Sequence, residues 1–234
     1  MDDTDTRIAN NLDIVRRNID RALARAGRPA GSVRIVAVTK TVGVAEIETI
    51  ARLGIDAVGE NRVQAALDKM AQVNATIEWH MIGTIQRRKV RDIVGRFNLV
   101  HSIDRVEVAD EIQKRAEQKD VVVPALLEVN TSRETTKHGV DPEQVFALVE
   151  HVARLDRIKV RGLMTMAPLL ADPNQARPCF AGLRECAERI NAMSIPNIDM
   201  TELSMGMSND YEVAVEEGAT MVRIGTAIFG LHKG

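Results

Sequence analysis

The sequence predicts an α/β fold, a single (β/α)8 TIM barrel formed as one domain by residues 1–234. Three observations predict it. Short apolar, β-branched runs alternate strictly with helix-like stretches, which implies parallel strands joined by right-handed crossovers. Eight such runs fit into 234 residues, a normal length for one barrel. No linker-like or low-complexity segment divides them; 171–178 (ADPNQARP) reads as a loop before a helix. An open doubly wound sheet is the structural alternative, and eight repeats favour closure.

The chain opens on an amphipathic helix, with Ile8, Leu12, Val15, Ile19 and Leu23 at helical spacing and an end near Gly27, followed by Pro29. The first strand is 34–40 (RIVAVTK), apolar enough to be buried on both faces. Further strands are expected at 56–61, 77–83, 99–104, 123–130, 160–166, 201–207 and 220–230. Asp104 and Glu107 have the spacing of a capping box for the helix after the fourth strand. Val145, Leu148, Val149, Val152 and Leu155 share one face of a helix whose start is signalled by Asp141-Pro142.

Composition narrows the function. A net charge of -2 gives no general attraction to nucleic acid or anionic membrane, and aromatics at 3% are too few for a base-stacking surface. The run Arg87, Arg88, Lys89, Arg91 reads as a solvated helix face, with an anion patch as the sharper alternative. No apolar run approaches the roughly 18 residues of a bilayer span, and the start MDDTDTRIANN has no signal-like core. Cys179 and Cys186 stand seven apart on one helix face rather than as a CxxC pair. These features suit a reduced, cytoplasmic setting. The five histidines have no metal-ligand spacing, so no metal is expected, and His138 reads as a loop residue.

In such barrels the chemistry sits at the carboxyl ends of the strands. Those ends carry Lys40, Glu60-Asn61, His80 and Gly83, Ser102 and Asp104, Asn130, Met164 and Met166, Ser204-Met205-Gly206, and Arg223 with Gly225-Thr226. Polar and small residues therefore gather at one rim. Lys40 shares strand parity with Val36 and Val38; if that parity points inward, burial would leave a neutral, nucleophilic amine suited to imine formation. Taken alone, a strand-end lysine reaching solvent is the commoner case. The turns GMSND (206–210) and RIGTAIFG (223–230) follow strands seven and eight, where barrels often hold phosphate. Either turn alone is ordinary capping chemistry; both at those two strands favour phosphate. Arg223 needs a buried acceptor, unless it pairs at the surface with Glu216 or Glu217. Met164, Met166, Met205 and Met207 are expected to line and fill the barrel.

Across nearly its whole length the sequence resembles the pyridoxal phosphate homeostasis proteins, the family of bacterial YggS and human PROSC. The resemblance is carried by AVTK (37–40), VGENRVQ (58–64), WHMIGTIQRRK (79–89), VNTSRETTKHGV (129–140), GLMTM (162–166) and the long ELSMGMSNDYEVAVEEGATMVRIGTAIFG (202–230). It implies a barrel similar to the N-terminal domain of alanine racemase, with pyridoxal 5'-phosphate (PLP) as cofactor. Lys40 matches the Schiff-base lysine, Asn61 an asparagine near the ring, and Arg223 the arginine facing the pyridine nitrogen. Ser204, Gly225 and Thr226 fall in the segments that hold the phosphate. Thr41-Val42-Gly43, Arg62 and Thr84 depart from the commoner family pattern, all at the rim.

The resemblance implies a PLP-binding protein of intracellular vitamin B6 homeostasis, carrying or buffering the cofactor on Lys40, with PLP and related B6 vitamers as ligands and PLP-dependent apo-enzymes as recipients. No robust catalysis is expected. An arginine partner cannot protonate the ring, and a racemase needs a base on each face of its substrate. Lys40 supplies one, and this chain offers no second domain for the other. The alternative is a minimal PLP-dependent racemase using His80 or Tyr211, and a third reading is a lysine-dependent aldolase on a phosphosugar. No heptad repeat or apolar edge argues for an oligomer, so a monomer is the default.

Overall fold

The computed structural model describes residues 3–134 and 138–230. Part of the VNTSRETTKHGV match (135–137) and His232 lie outside the described residues. The chain forms a closed parallel barrel in the order β1 to β8, with β1 returning to pair with β8. The elements are α1 (Asp3–Arg25), β1 (Arg34–Val38), α2 (Val44–Arg52), β2 (Ala57–Glu60), α3 (Val63–Met70), β3 (Glu78–Met81), α4 (Val90–Ile93), β4 (Leu99–Ile103), α5 (Val106–Lys119), β5 (Val123–Glu128), α6 (Val145–Val152), β6 (Ile158–Met164), α7 (Arg177–Ala192), β7 (Glu202–Ser204), α8 (Tyr211–Glu216), β8 (Met221–Ile224) and α9 (Thr226–Phe229). Every expected strand forms. The predicted 220–230 run divides into β8 and α9, because Gly225 breaks the strand and begins a short helical turn.

The strands bury both faces, so they read as continuous apolar runs. Inside the barrel Val36, Ala57, Leu99, Leu126, Met164 and Met221 pack as one small cluster, joined by Met166. A much larger cluster lies between sheet and helices; it takes the whole predicted stripe of α1 from Ile8 to Leu23. Met205 also belongs to this outer shell, so it does not line the barrel as expected: it stands one residue from Ser204, and strand neighbours point to opposite faces.

Helix α1 packs on α8 and α9. Asn11 Nδ2 donates to Ile228 O at 2.9 Å and the Arg7 guanidinium to Phe229 O, so α1 fixes the α9 turn from outside. Two local expectations are corrected. Asp104 forms no capping box with Glu107; its carboxylate pairs with the adjacent Arg105 guanidinium, and α5 starts after Arg105 with no side-chain cap. Asp141 does accept the Glu143 N–H at 3.1 Å, but as part of a turn that precedes α6 rather than as its cap. Cys179 and Cys186 lie together on α7. Among the described residues, no helix is long and apolar enough to cross a membrane.

Candidate functional site

The site gathers at the carboxyl rim. β1 ends at Val38, and Lys40 lies two residues beyond it. Thr39 is anchored beneath: its N–H donates to Gly59 O at 3.1 Å, its hydroxyl donates to Glu60 Oε1 at 2.7 Å, and its carbonyl accepts Lys69 Nζ at 2.6 Å. Glu60 is fully buried and paired with Lys69 at 2.7 Å on the helix side of the sheet. This network fixes the backbone that presents Lys40. The lysine itself is exposed and lies past the last strand residue, which matches the strand-end lysine reaching solvent rather than an amine desolvated inside an apolar barrel.

Asn61, also exposed, follows β2. Its backbone is packed against Gly83, where a Cβ would come within 2.4 Å of Asn61 O. The departures Arg62 and Thr84 line a cavity of about 290 Å3 together with Asn61, Gln86 and Lys89. Lys89, from the basic run, thus faces the rim beside Asn61. Arg88, Arg91 and Asp92 border an adjoining hollow with Lys89.

Arg223 rises from β8 in register with Val36, on the barrel interior. It is 3% exposed and makes no surface pair with Glu216 or Glu217; those carboxylates are taken by Arg25, Arg177 and Arg184. Its Nη1 donates to Ser204 Oγ at 2.6 Å and its Nη2 to Thr165 O at 2.7 Å. Burial pushes the guanidinium down to about 10, so it stays protonated at neutral pH. Ser204 therefore stands in the barrel interior supporting Arg223, and its hydroxyl is not turned to the α9 turn.

The α9 turn instead converges on Ser208. The N–H groups of Gly225 and Ala227 both point at Ser208 Oγ, each at 3.2 Å. Gly206 makes this possible: at φ +90 it turns the chain after β7, where a Cβ would meet Ala214 Cβ at 2.5 Å. Two backbone donors aimed at a single oxygen form a nest that a phosphate oxygen fits. Thr226 opens the turn and is exposed. Sequence reasoning placed Ser208 only within a turn motif; the signal that singles it out is spatial.

Glu128, at the end of β5, was also missed. It is buried, its Oε2 has no hydrogen-bond partner, and burial, reinforced by Asp104, raises its carboxyl from 4.5 to about 7. Its one sequence signal is an acid ending the apolar run VPALLE. An orphaned buried polar atom suits a site that takes a polar ligand. Thus the rim combines an exposed lysine, a fixed interior arginine and an oxygen-binding turn, a donor set that fits PLP. The other two proposed bases lie elsewhere. The Tyr211 ring packs in the outer shell and its hydroxyl accepts Asn18 Nδ2 at 2.8 Å. His80 is fully buried within the barrel, and burial pushes it down to about 4. Among the described residues, no group of three or more His, Cys, Asp or Glu could hold a metal ion.

The profile of the alanine racemase N-terminal domain family matches residues 10–233. A pyridoxal phosphate homeostasis protein of Aquifex aeolicus is 44% identical over 223 residues, covering 95% of this chain and 97% of that one. An unknown protein from Bifidobacterium adolescentis superposes with a TM-score of 0.93 at 35% identity, covering 98% of this chain and 97% of that chain. PipY of Synechococcus elongatus PCC7942, with PLP bound, superposes with a TM-score of 0.79 at 34% identity, covering 91% of this chain and all (100%) of that chain.

Proposed function

The chain belongs to the alanine racemase N-terminal domain family and, within it, to the pyridoxal phosphate homeostasis proteins, and on that footing we propose that it is a PLP-binding protein of cytoplasmic vitamin B6 homeostasis that carries or buffers the cofactor. The observation that carries the site assignment is the buried Arg223 guanidinium, fixed on Ser204 and Thr165, on the strand that leads into the Gly225–Thr226 turn and paired with β1, the strand that leads to Lys40.

In this reading Lys40 holds the cofactor covalently through its amine, Asn61 flanks the ring, and Arg223 donates to the ring nitrogen. The Gly225 and Ala227 N–H groups and the Thr226 turn receive the phosphate. Ser204 serves by holding Arg223. When bound, the cofactor supplies an electrophilic carbon and an electron-withdrawing ring, the latter weakened by a partner that only donates. With Tyr211 tied to α1 and His80 inside the barrel, neither presents a second base to the mouth. This supports carriage over catalysis, with PLP-dependent apo-enzymes as recipients and a monomer as the working unit. The racemase fold of the family favours one second reading, a minimal PLP-dependent racemase, which would need a second base on the substrate face opposite Lys40.

An absorbance spectrum of purified protein with added PLP, before and after borohydride, tests the reading. A visible band that borohydride abolishes and Lys40→Ala lacks is expected. Absence of that band after incubation with excess PLP sinks the Lys40 assignment. Sustained amino-acid racemisation or transamination by the pure protein sinks the carrier reading.

A further inference from the structure

Below Arg223 a file of polar side chains runs through the barrel. Arg223 Nη1 donates to Ser204 Oγ at 2.6 Å; Ser204 Oγ and His101 Nδ1 are 2.9 Å apart; His101 Nε2 and His80 Nδ1 are 3.0 Å apart; His80 Nε2 and Glu78 Oε2 are 3.4 Å apart. Glu78 Oε2 receives Arg34 Nη1 at 2.9 Å, and Arg34 Nε also holds Asp56 at 3.0 Å. Ser204, His101 and His80 are all fully buried (0% exposed), so no water competes for these atoms.

The direction of every bond is forced from the two ends. Glu78 is an acceptor: burial opposes its charge, but Arg34 outweighs it and lowers the carboxyl below its ordinary range. His80 Nε2 must then carry the proton. Both rings are neutral: burial outweighs the pull of Glu78 on His80, and His101 is depressed by burial, His80, Arg223 and Arg34. A neutral His80 with Nε2–H has a bare Nδ1, which takes the His101 Nε2–H. His101 Nδ1 is bare in turn and takes the Ser204 hydroxyl proton. That leaves the Ser204 oxygen facing Arg223, which can only donate. All four bonds run one way, from the buried Arg223 cation to the Glu78–Arg34 pair at the opposite end, and bonds so aligned strengthen one another.

We propose that His101 and His80 are positioning residues of the cofactor site: with Ser204 they form a one-directional donor chain, anchored on Glu78, that holds the Arg223 guanidinium in place. A buried pair that merely filled the core would accept either tautomer and leave Arg223 indifferent to its loss. The proposal rests on the reading that Arg223 faces the bound cofactor ring.

Nitrogen-15 NMR of histidine-labelled full-length protein reads the chain directly. His80 and His101 are expected as Nε2–H tautomers that gain no proton between about pH 8 and pH 5.5, across the range where a free imidazole titrates. His101→Leu is expected to weaken PLP binding about tenfold, the worth of the two neutral links it removes, and to shift the absorption maximum of the bound cofactor. His101→Gln, which can accept at one end and donate at the other, is expected to keep most of the binding. Should His101→Leu fail to fold, Ser204→Ala breaks the same chain at its first link and carries the same expectation. An Nδ1–H tautomer at His101, or a cut chain with unchanged affinity and spectrum, overturns the proposal. A wild-type protein that never takes up PLP defeats the cofactor reading instead, while the tautomers still decide the chain.

Discussion

The guanidinium of Arg223 and the hydroxyl of Ser204 meet inside the barrel at 2.6 Å, on neighbouring strands β8 and β7. The contact makes a buried cation part of the core, with Thr165 O as its second acceptor at 2.7 Å. Ser204→Ala removes a fully buried acceptor of the Arg223 guanidinium. A stability loss of about 1–3 kcal/mol is expected in urea unfolding, the cost of an unsatisfied buried donor. An unchanged midpoint would mean the arginine finds another acceptor.

Glu128 makes stability fall as pH rises. Its folded carboxyl titrates at about 7 against an ordinary 4.5, so between these values the folded state holds a proton that the unfolded chain has lost. The penalty is absent below about pH 4.5 and complete above about pH 7, where it reaches roughly 3 kcal/mol. Glu128→Gln is expected to be more stable than the parent at pH 8 and equal to it at pH 4. Unfolding curves of both proteins across that range check the sign.

His80 acts in the opposite direction. Its folded pKa of about 4 lies below the ordinary 6.5, so the unfolded chain binds a proton first as pH falls. Stability is unaffected above about pH 6.5 and is lost progressively from there to about pH 4, by roughly 3 kcal/mol. His101, depressed in the same sense, adds to this. His80→Gln is expected to flatten the acid limb, read as a smaller change in unfolding free energy between pH 7 and pH 5.

Gly83 has no room for a side chain, since its Cβ would sit 2.4 Å from Asn61 O and 2.7 Å from Asn61 Cα. Gly83→Ala must therefore push the β2 end away from the rim. A loss of about 1–3 kcal/mol or more is expected, together with weaker PLP binding, because Asn61 moves with the backbone. Thermal unfolding and a PLP titration on the same variant separate the two effects; full retention of both would show that the turn relaxes freely.

Much of this was legible in the chain. Eight apolar runs separated by amphipathic stretches announce the barrel, since strands covered on both faces cannot alternate. Lys40, Asn61, Arg223, Gly225 and Thr226 stand at strand ends, where position along the chain translates into position at the rim. Ser204 was found, but the face it serves was not, because that depends on β7 and β8 lying side by side. Glu128, Ser208 and His101 carry no local pattern: an acid in an apolar run, a serine in a turn and a histidine in a strand each have ordinary readings until their neighbours are known.

The sequence by itself determined the alternation, the eight strands, the buried face of α1 and the cluster of small and polar residues at one rim. These follow from periodicity and turn chemistry, which act over a few residues. Only the tertiary structure decided that Lys40 stands exposed, that Arg223 leans on Ser204 and Thr165, and that His101 joins His80 to form a chain ending on Glu78. The physical reason is closure. Hydrogen bonds reach only about 3 Å, and it is the barrel that brings residues 80, 101, 204 and 223 within that reach of their neighbours, across separations in the chain of up to 103 residues.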